Sequence, residues 1–132
     1  SEEEARALSG LRENRDLAQF LIDRGAGAVI LTLGANGAYC RSRDGAEFST
    51  PAFAVDVVCT CGCGDCFNGG FATGLVKGMS LEDAVQIAQA SSAQNATGLG
   101  SQAGVKDFPG TLAFISATPV RAIRDSLVTA SD

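Results

Sequence analysis

Between Val57 and Leu75 the chain reads VVCTCGCGDCFNGGFATGL, a glycine-punctuated loop that runs through Asp65 into an apolar stretch with small residues at its start. Gly62 and Gly64 admit backbone conformations closed to residues with a Cβ, so successive N–H groups can converge on one point. With a helix following, those donors sit at its N-terminus, where unpaired amides and the helix dipole favour a phosphate or a developing negative charge. Asp65 is the chemical exception in such a nest. A fixed carboxylate repels an anionic ligand unless it has its own task, and taking a proton from an attacking hydroxyl is such a task. Capping the helix is the competing task, because Asp is favoured at that position.

The segments around this loop alternate helix and strand signals. Residues 2–8 are acidic at their start and helix-favouring, with Gly10 as a stop; Asn14 can cap a second helix that carries Leu17, Phe20 and Leu21 at core spacing and ends near Gly25. Residues 28–33, AVILTL, are short, apolar and rich in strand formers, as expected of a strand buried on both faces. Gly34 and Gly37 frame a tight turn, 38–43 reads as a returning strand, and Asp44-Gly45 offers a hairpin turn before a strand at 47–49. Beyond Asp65 the pattern predicts a helix over 66–77 closed by Gly78. A second helix is capped by Ser80, with Asp83 at the box position, and runs to about Thr97. Phe67, Phe71 and Leu75 have the spacing of a core stripe. Glycines and Pro109 mark 98–110 as loop, and 120–128 holds a short helix. The order implies an α/β layer and one domain, or part of one.

A chain of 132 residues can bury a core but is short for an α/β enzyme. A net charge of −5 with no cluster of Lys or Arg argues against a nucleic-acid surface. No apolar run approaches membrane-spanning length, and the charged start SEEEAR is unlike a signal peptide, so the cytoplasm is the default compartment and no membrane partner is expected. Four of five cysteines crowd into Cys59, Cys61, Cys63 and Cys66, which is not the spread of a secreted disulfide framework. The C-x-C-x-C-x-x-C spacing could instead hold zinc or an iron–sulfur cluster, since thiolates are the soft ligands these centres need. Two thiols of the loop, such as Cys61 and Cys63, could also act as a redox pair.

Three features together resemble the ribokinase-like, or PfkB, family of carbohydrate kinases. The family signature Asp-Thr-Thr-Gly-Ala-Gly-Asp-x-Phe-x-Gly-Gly-Phe is similar to the run from Cys59 to Phe71, CTCGCGDCFNGGF. Thr32-Leu33-Gly34-Ala35-Asn36-Gly37 looks like the family's nucleotide-binding turn, and Ser1 to Gly10 resembles its Asn-x-x-Glu-Ala segment ending in Leu-Thr-Gly. The resemblance implies a three-layer, Rossmann-like ribokinase-type α/β fold. Residues 1–132 would form the C-terminal, nucleotide- and phosphate-binding part, with the N-terminal sugar-binding and lid part absent. It implies ATP-dependent transfer of a phosphoryl group to a hydroxyl of a sugar or sugar-like substrate. Asp65 would be the catalytic base; Gly62, Cys63 and Gly64 the anion hole; Thr32, Gly34, Gly37 and Gln89 the nucleotide-binding residues; and Glu4 an indirect ligand of magnesium. The full-length protein could form a homodimer through its lid.

Cys59 departs from the family pattern, in which an Asp helps many members to bind a monovalent cation. A thiol is a poor ligand for a hard cation, so potassium, whose other ligands would fall near Cys61, Asn95, Gly98 and Gly100, is doubtful. Besides the metal-binding module, the remaining alternative is a non-catalytic kinase remnant, inactive alone.

Overall fold

The computed structural model describes residues 1–100 and 104–122. A first compact unit comprises residues 1–51 with Ala122, and a second comprises 52–121.

The first unit opens with α1, Glu2–Ser9, and α2, Asn14–Asp23, followed by β1, Ala28–Thr32, β2, Ala38–Ser42, and β3, Glu47–Thr50. Three glutamates in the first turn of α1 sit at the positive end of its dipole, and Ser1 with Glu4 completes a capping box. Asn14 is not a cap, as the sequence suggests, but the first helical residue. The extended Glu13 precedes it and makes no side-chain cap bond. The strands form an antiparallel sheet in the order β1-β2-β3, with Leu31 opposite Tyr39 and Cys40 opposite Phe48.

Double-sided burial of β1 does not hold: Val29 and Leu31 are buried, Ala28 is exposed, and Ile30 and Thr32 are half-buried. Side chains alternate across a strand, and Val29 and Leu31 share the core cluster with Ala5, Leu17, Ala18 and Ile22 of the two helices. Cys40 is fully buried, which pushes its thiol up to about 11. Glu47 ties α2 to the sheet. It accepts both Nε and Nη2 of Arg15 at 3.0 Å and the Tyr39 hydroxyl at 2.7 Å, with Arg41 Nη1 at 3.4 Å. The Tyr39 hydroxyl, then Arg15 and Arg41, hold its carboxyl below the usual value against a smaller opposing effect of burial.

The second unit contains α3, Cys63–Val76, α4, Leu81–Ala96, and α5, Phe108–Ala117. Small residues bring α3 and α4 together. A Cβ on Gly70 would stand 2.6 Å from Ser91 Oγ and 3.0 Å from the Ala88 Cα, and one on Gly74 would stand 2.8 Å from the Ala84 Cα. The buried stripe of α3 is therefore Phe67, Gly70 and Gly74. The expected stripe fails beyond its first member, since Phe71 is half-buried and Leu75 is 49% exposed. Ser80 caps α4 as expected, accepting from Asp83 N–H at 3.2 Å.

The last helix corrects the sequence reading. Pro109 lies in the first turn of α5, where a missing N–H costs nothing, and Asp107 caps it by accepting from Gly110 N–H at 2.9 Å. Val120, placed in a helix by the sequence, instead pairs with Phe53 in an antiparallel bridge. The remainder of that expected helix, from residue 123, lies outside the described residues.

Candidate active site

α3 begins three residues earlier than the sequence predicts. Gly62 is its cap, in the left-handed region at φ 75°, so Cys63, Gly64 and Asp65 occupy the first three helical positions. The tight turn is closed by Cys63 N–H donating to Thr60 O at 3.2 Å, and the helical ladder starts with Cys66 N–H donating to Gly62 O at 2.9 Å. Among the described residues the N–H groups of Gly64 and Asp65 have no backbone acceptor. These are the orphan donors that a helix start offers to an anion. Asp65 is not the cap. Its carboxylate is exposed on the first turn and makes no hydrogen bond or ion pair among the described residues.

Gly64 differs in kind from Gly70 and Gly74. Among the described residues a Cβ there would meet no atom within 4 Å, so packing does not demand a glycine at that point.

The loop before α3 is pinned to the end of α4. Val58 and Cys59 N–H donate to Ala96 O at 2.7 and 3.2 Å. Asn95 is fully buried; its Nδ2 donates to Cys61 O at 2.7 Å and lies 3.5 Å from Cys63 Sγ, while its Oδ1 has no hydrogen-bond partner among the described residues. Neighbouring Gln94 accepts from Lys106 N–H at 2.8 Å and donates to Thr111 Oγ1 at 3.2 Å, fixing the segment that leads into α5. Sequence reasoning missed this brace; its signal was an adjacent pair of amide side chains inside an alanine-rich helix.

The four clustered thiols make separate contacts. Cys59 Sγ accepts from Cys61 N–H at 3.3 Å; the Cys61 thiol lowers the Cys59 thiol and is itself raised by it. Cys63 donates its S–H to Ser92 O at 3.5 Å. Burial, with the charges of Cys63 and Asp65, raises the Cys66 thiol. Among the described residues no three His, Cys, Asp or Glu side chains form a metal-ligand group. Of the residues near the expected potassium position, Cys59 brings sulfur where a hard cation prefers oxygen, and the Cys61 carbonyl accepts from Asn95.

In the first unit, Thr32 ends β1 opposite Ala38, and Gly34 opens the 3-10 turn Gly34–Asn36 at φ 59° with open space beside its Cα. Gly37 has a packing reason to be glycine: at φ 86° its Cβ would land on the Thr50 carbonyl oxygen. Glu4 is exposed, its carboxylate accepting from Ser1. Gln89, in α4 of the second unit, is 7% exposed and engaged with its surroundings, not the surface residue that its polarity alone would suggest.

Among the described residues, two helix-start amides without backbone acceptors and a carboxylate share one helix turn in an α/β architecture, an arrangement suited to an anion. The chain belongs to the pfkB family of carbohydrate kinases, whose model matches residues 1–107. It is 33% identical over 120 residues to the ribokinase of Haemophilus influenzae, covering 87% of this chain and 39% of that protein. Among solved structures it is similar to a ribokinase from Thermotoga maritima, with a TM-score of 0.80 and 30% identity over 86% of this chain and 40% of that one. An aminoimidazole riboside kinase from Salmonella enterica, complexed with aminoimidazole riboside and an ATP analogue, matches with a TM-score of 0.76 and 33% identity, covering 86% of this chain and 39% of that one. These neighbours have the ribokinase fold, and the chain spans about two fifths of the length of the relatives it matches. Among the described residues no helix is long and apolar enough to cross a membrane.

Proposed function

We propose that this chain carries the nucleotide and phosphate part of an ATP-dependent kinase that phosphorylates a hydroxyl of a sugar or sugar-like substrate. The observation that carries the reading is the first turn of α3, where, among the described residues, the N–H groups of Gly64 and Asp65 have no backbone acceptor, the space beside Gly64 is open, and the Asp65 carboxylate is exposed. The ATP analogue and riboside in the Salmonella enterica relative support it.

Asp65 accepts the proton of the attacking hydroxyl at a carboxylate oxygen as the alcohol attacks the γ-phosphate. Gly62, Cys63 and Gly64 form the anion hole with a division of labour. Gly62 turns the chain, Cys63 N–H is spent on Thr60 O, and Gly64 N–H, with that of Asp65, faces the charge on the transferring group. Thr32, Gly34, Gly37 and Gln89 hold the nucleotide. Glu4, a hard carboxylate, suits magnesium bound through water; that ion would neutralise phosphate charge. Potassium has no step in this reading, and the sugar-binding lobe and the dimer contact belong to the remainder of the protein.

The test is Asp65→Asn in the full-length protein. Turnover falls by about 10²–10⁴, with nucleotide affinity held within a few fold by the unchanged amides. Near-normal turnover would refute the assignment.

A further inference from the structure

We propose that Cys63 and Cys66 are a redox-active dithiol that a hydroperoxide closes into a disulfide across the first turn of α3. The two residues are the first and fourth of the helix, so they share a face with Cβ atoms about 5–6 Å apart. A disulfide needs about 3.5–4.5 Å. The difference is a tightening of the one turn that has the fewest hydrogen bonds to lose.

The surroundings give the two sulfurs different tasks. Cys63 is the first residue of α3; Asn95 Nδ2 lies 3.5 Å from its sulfur, and the Cys63 S–H donates to Ser92 O at 3.5 Å. Asn95 is completely buried and its Oδ1 is unpartnered among the described residues, so this amide is held against the loop at a cost in hydrogen bonding. Cys66 is half-buried and lines a cavity of about 490 Å³ with Gly69, Gly70 and Thr73. Cys40, by contrast, is enclosed in the other unit.

The Cys63 thiolate attacks the terminal oxygen of the hydroperoxide: an S–O bond forms, the O–O bond breaks, and the alcohol, or water from hydrogen peroxide, departs after taking a proton. This leaves Cys63 as a sulfenic acid. The Cys66 thiol gives up its proton and its sulfur attacks that of Cys63, so that S–S forms, S–O breaks, and hydroxide leaves with the proton as water. Two electrons from the dithiol have reduced the peroxide, and an external dithiol reverses the reaction by exchange. Gly64 and Asp65 lie inside the closed loop, so oxidation displaces the amides and carboxylate of the site; this effect on turnover rests on the kinase reading.

The experiment treats the full-length protein with hydrogen peroxide, blocks remaining thiols with a maleimide, and cleaves before aspartate. Cleavage ahead of Asp56, Asp65 and Asp83 puts Cys63 and Cys66 on separate fragments, 56–64 and 65–82. Linked fragments two hydrogens lighter are expected in the wild type and in Cys59→Ser/Cys61→Ser, and none in Cys66→Ser. A bond confined to fragment 56–64, or sulfinic acid without linkage, overturns the dithiol. Turnover should fall at least tenfold on oxidation and return with dithiothreitol. Linked fragments with unchanged turnover would overturn the effect on the site but not the dithiol.

Discussion

Alanine at Gly74 should destabilise the protein, whereas alanine five residues earlier, at Gly69, should stabilise it. Both glycines are inside α3, and in a helix alanine is favoured over glycine by about 1 kcal/mol at either site. At Gly69 nothing among the described residues stands within 4 Å of the new methyl, so that gain is kept. At Gly74 the methyl would lie 2.8 Å from both the Cα and the Cβ of Ala84, well inside the contact distance of about 3.5–4.0 Å. Neither atom can rotate aside, because both are fixed to the backbone of α4. The helices must separate, and overpacking of this kind costs about 1–3 kcal/mol. The sum is a net loss of up to about 2 kcal/mol at Gly74, roughly 30-fold in the folding constant. Gly70 falls between, because the nearest atom is Ser91 Oγ at 2.6 Å, which can swing away, although the Ala88 Cα at 3.0 Å cannot. Urea unfolding followed by far-UV circular dichroism, with unchanged slope, gives the order Gly69→Ala, wild type, Gly70→Ala, Gly74→Ala. A Gly74→Ala midpoint at or above that of Gly69→Ala would refute the close approach of α3 and α4.

Gly64→Ala separates site from scaffold: its stability should match or exceed wild type by up to about 1 kcal/mol, while steady-state turnover of the full-length protein drops at least tenfold because the methyl fills the space beside Gly64. Glu47→Gln should cost about 1 kcal/mol at neutral pH. The lowered carboxyl of Glu47 gives stability that is full above the unfolded value of about 4.3 and is lost as pH falls through the folded value. The gap between variant and wild-type unfolding curves therefore closes in acid, and a gap that persists there would sink the network. Cys40, with its thiol pushed up to about 11 and no exposure, should resist iodoacetamide in the native protein at mildly alkaline pH while Cys61 is labelled; equal labelling would contradict its burial.

The strands, the turn between them and two of the three helices of the second unit are legible in the sequence because their signals are local. The start of α3 is not, since Gly62-Cys63-Gly64 are poor helix formers and only the left-handed Gly62 turns the chain early enough to helicalise Asp65. α5 was hidden by Phe108-Pro109-Gly110, although Asp107 followed by a first-turn proline is itself a start signal. The catalytic candidate could be picked from its motif, and Asn95 entered the sequence reading only by its position near a cation site. Its actual work, holding Cys61 O and facing Cys63 Sγ, depends on a contact across more than thirty residues that no local pattern encodes.

The glycine at position 37 links two motions that look separate along the chain. Its Cα rests against the Thr50 carbonyl so closely that no side chain fits between them, and Leu33 N–H closes the turn onto Gly37 O at 2.8 Å. Among the described residues β3 pairs only with β2. The turn can swing only if β3 yields, so the two open as one cooperative patch in hydrogen exchange.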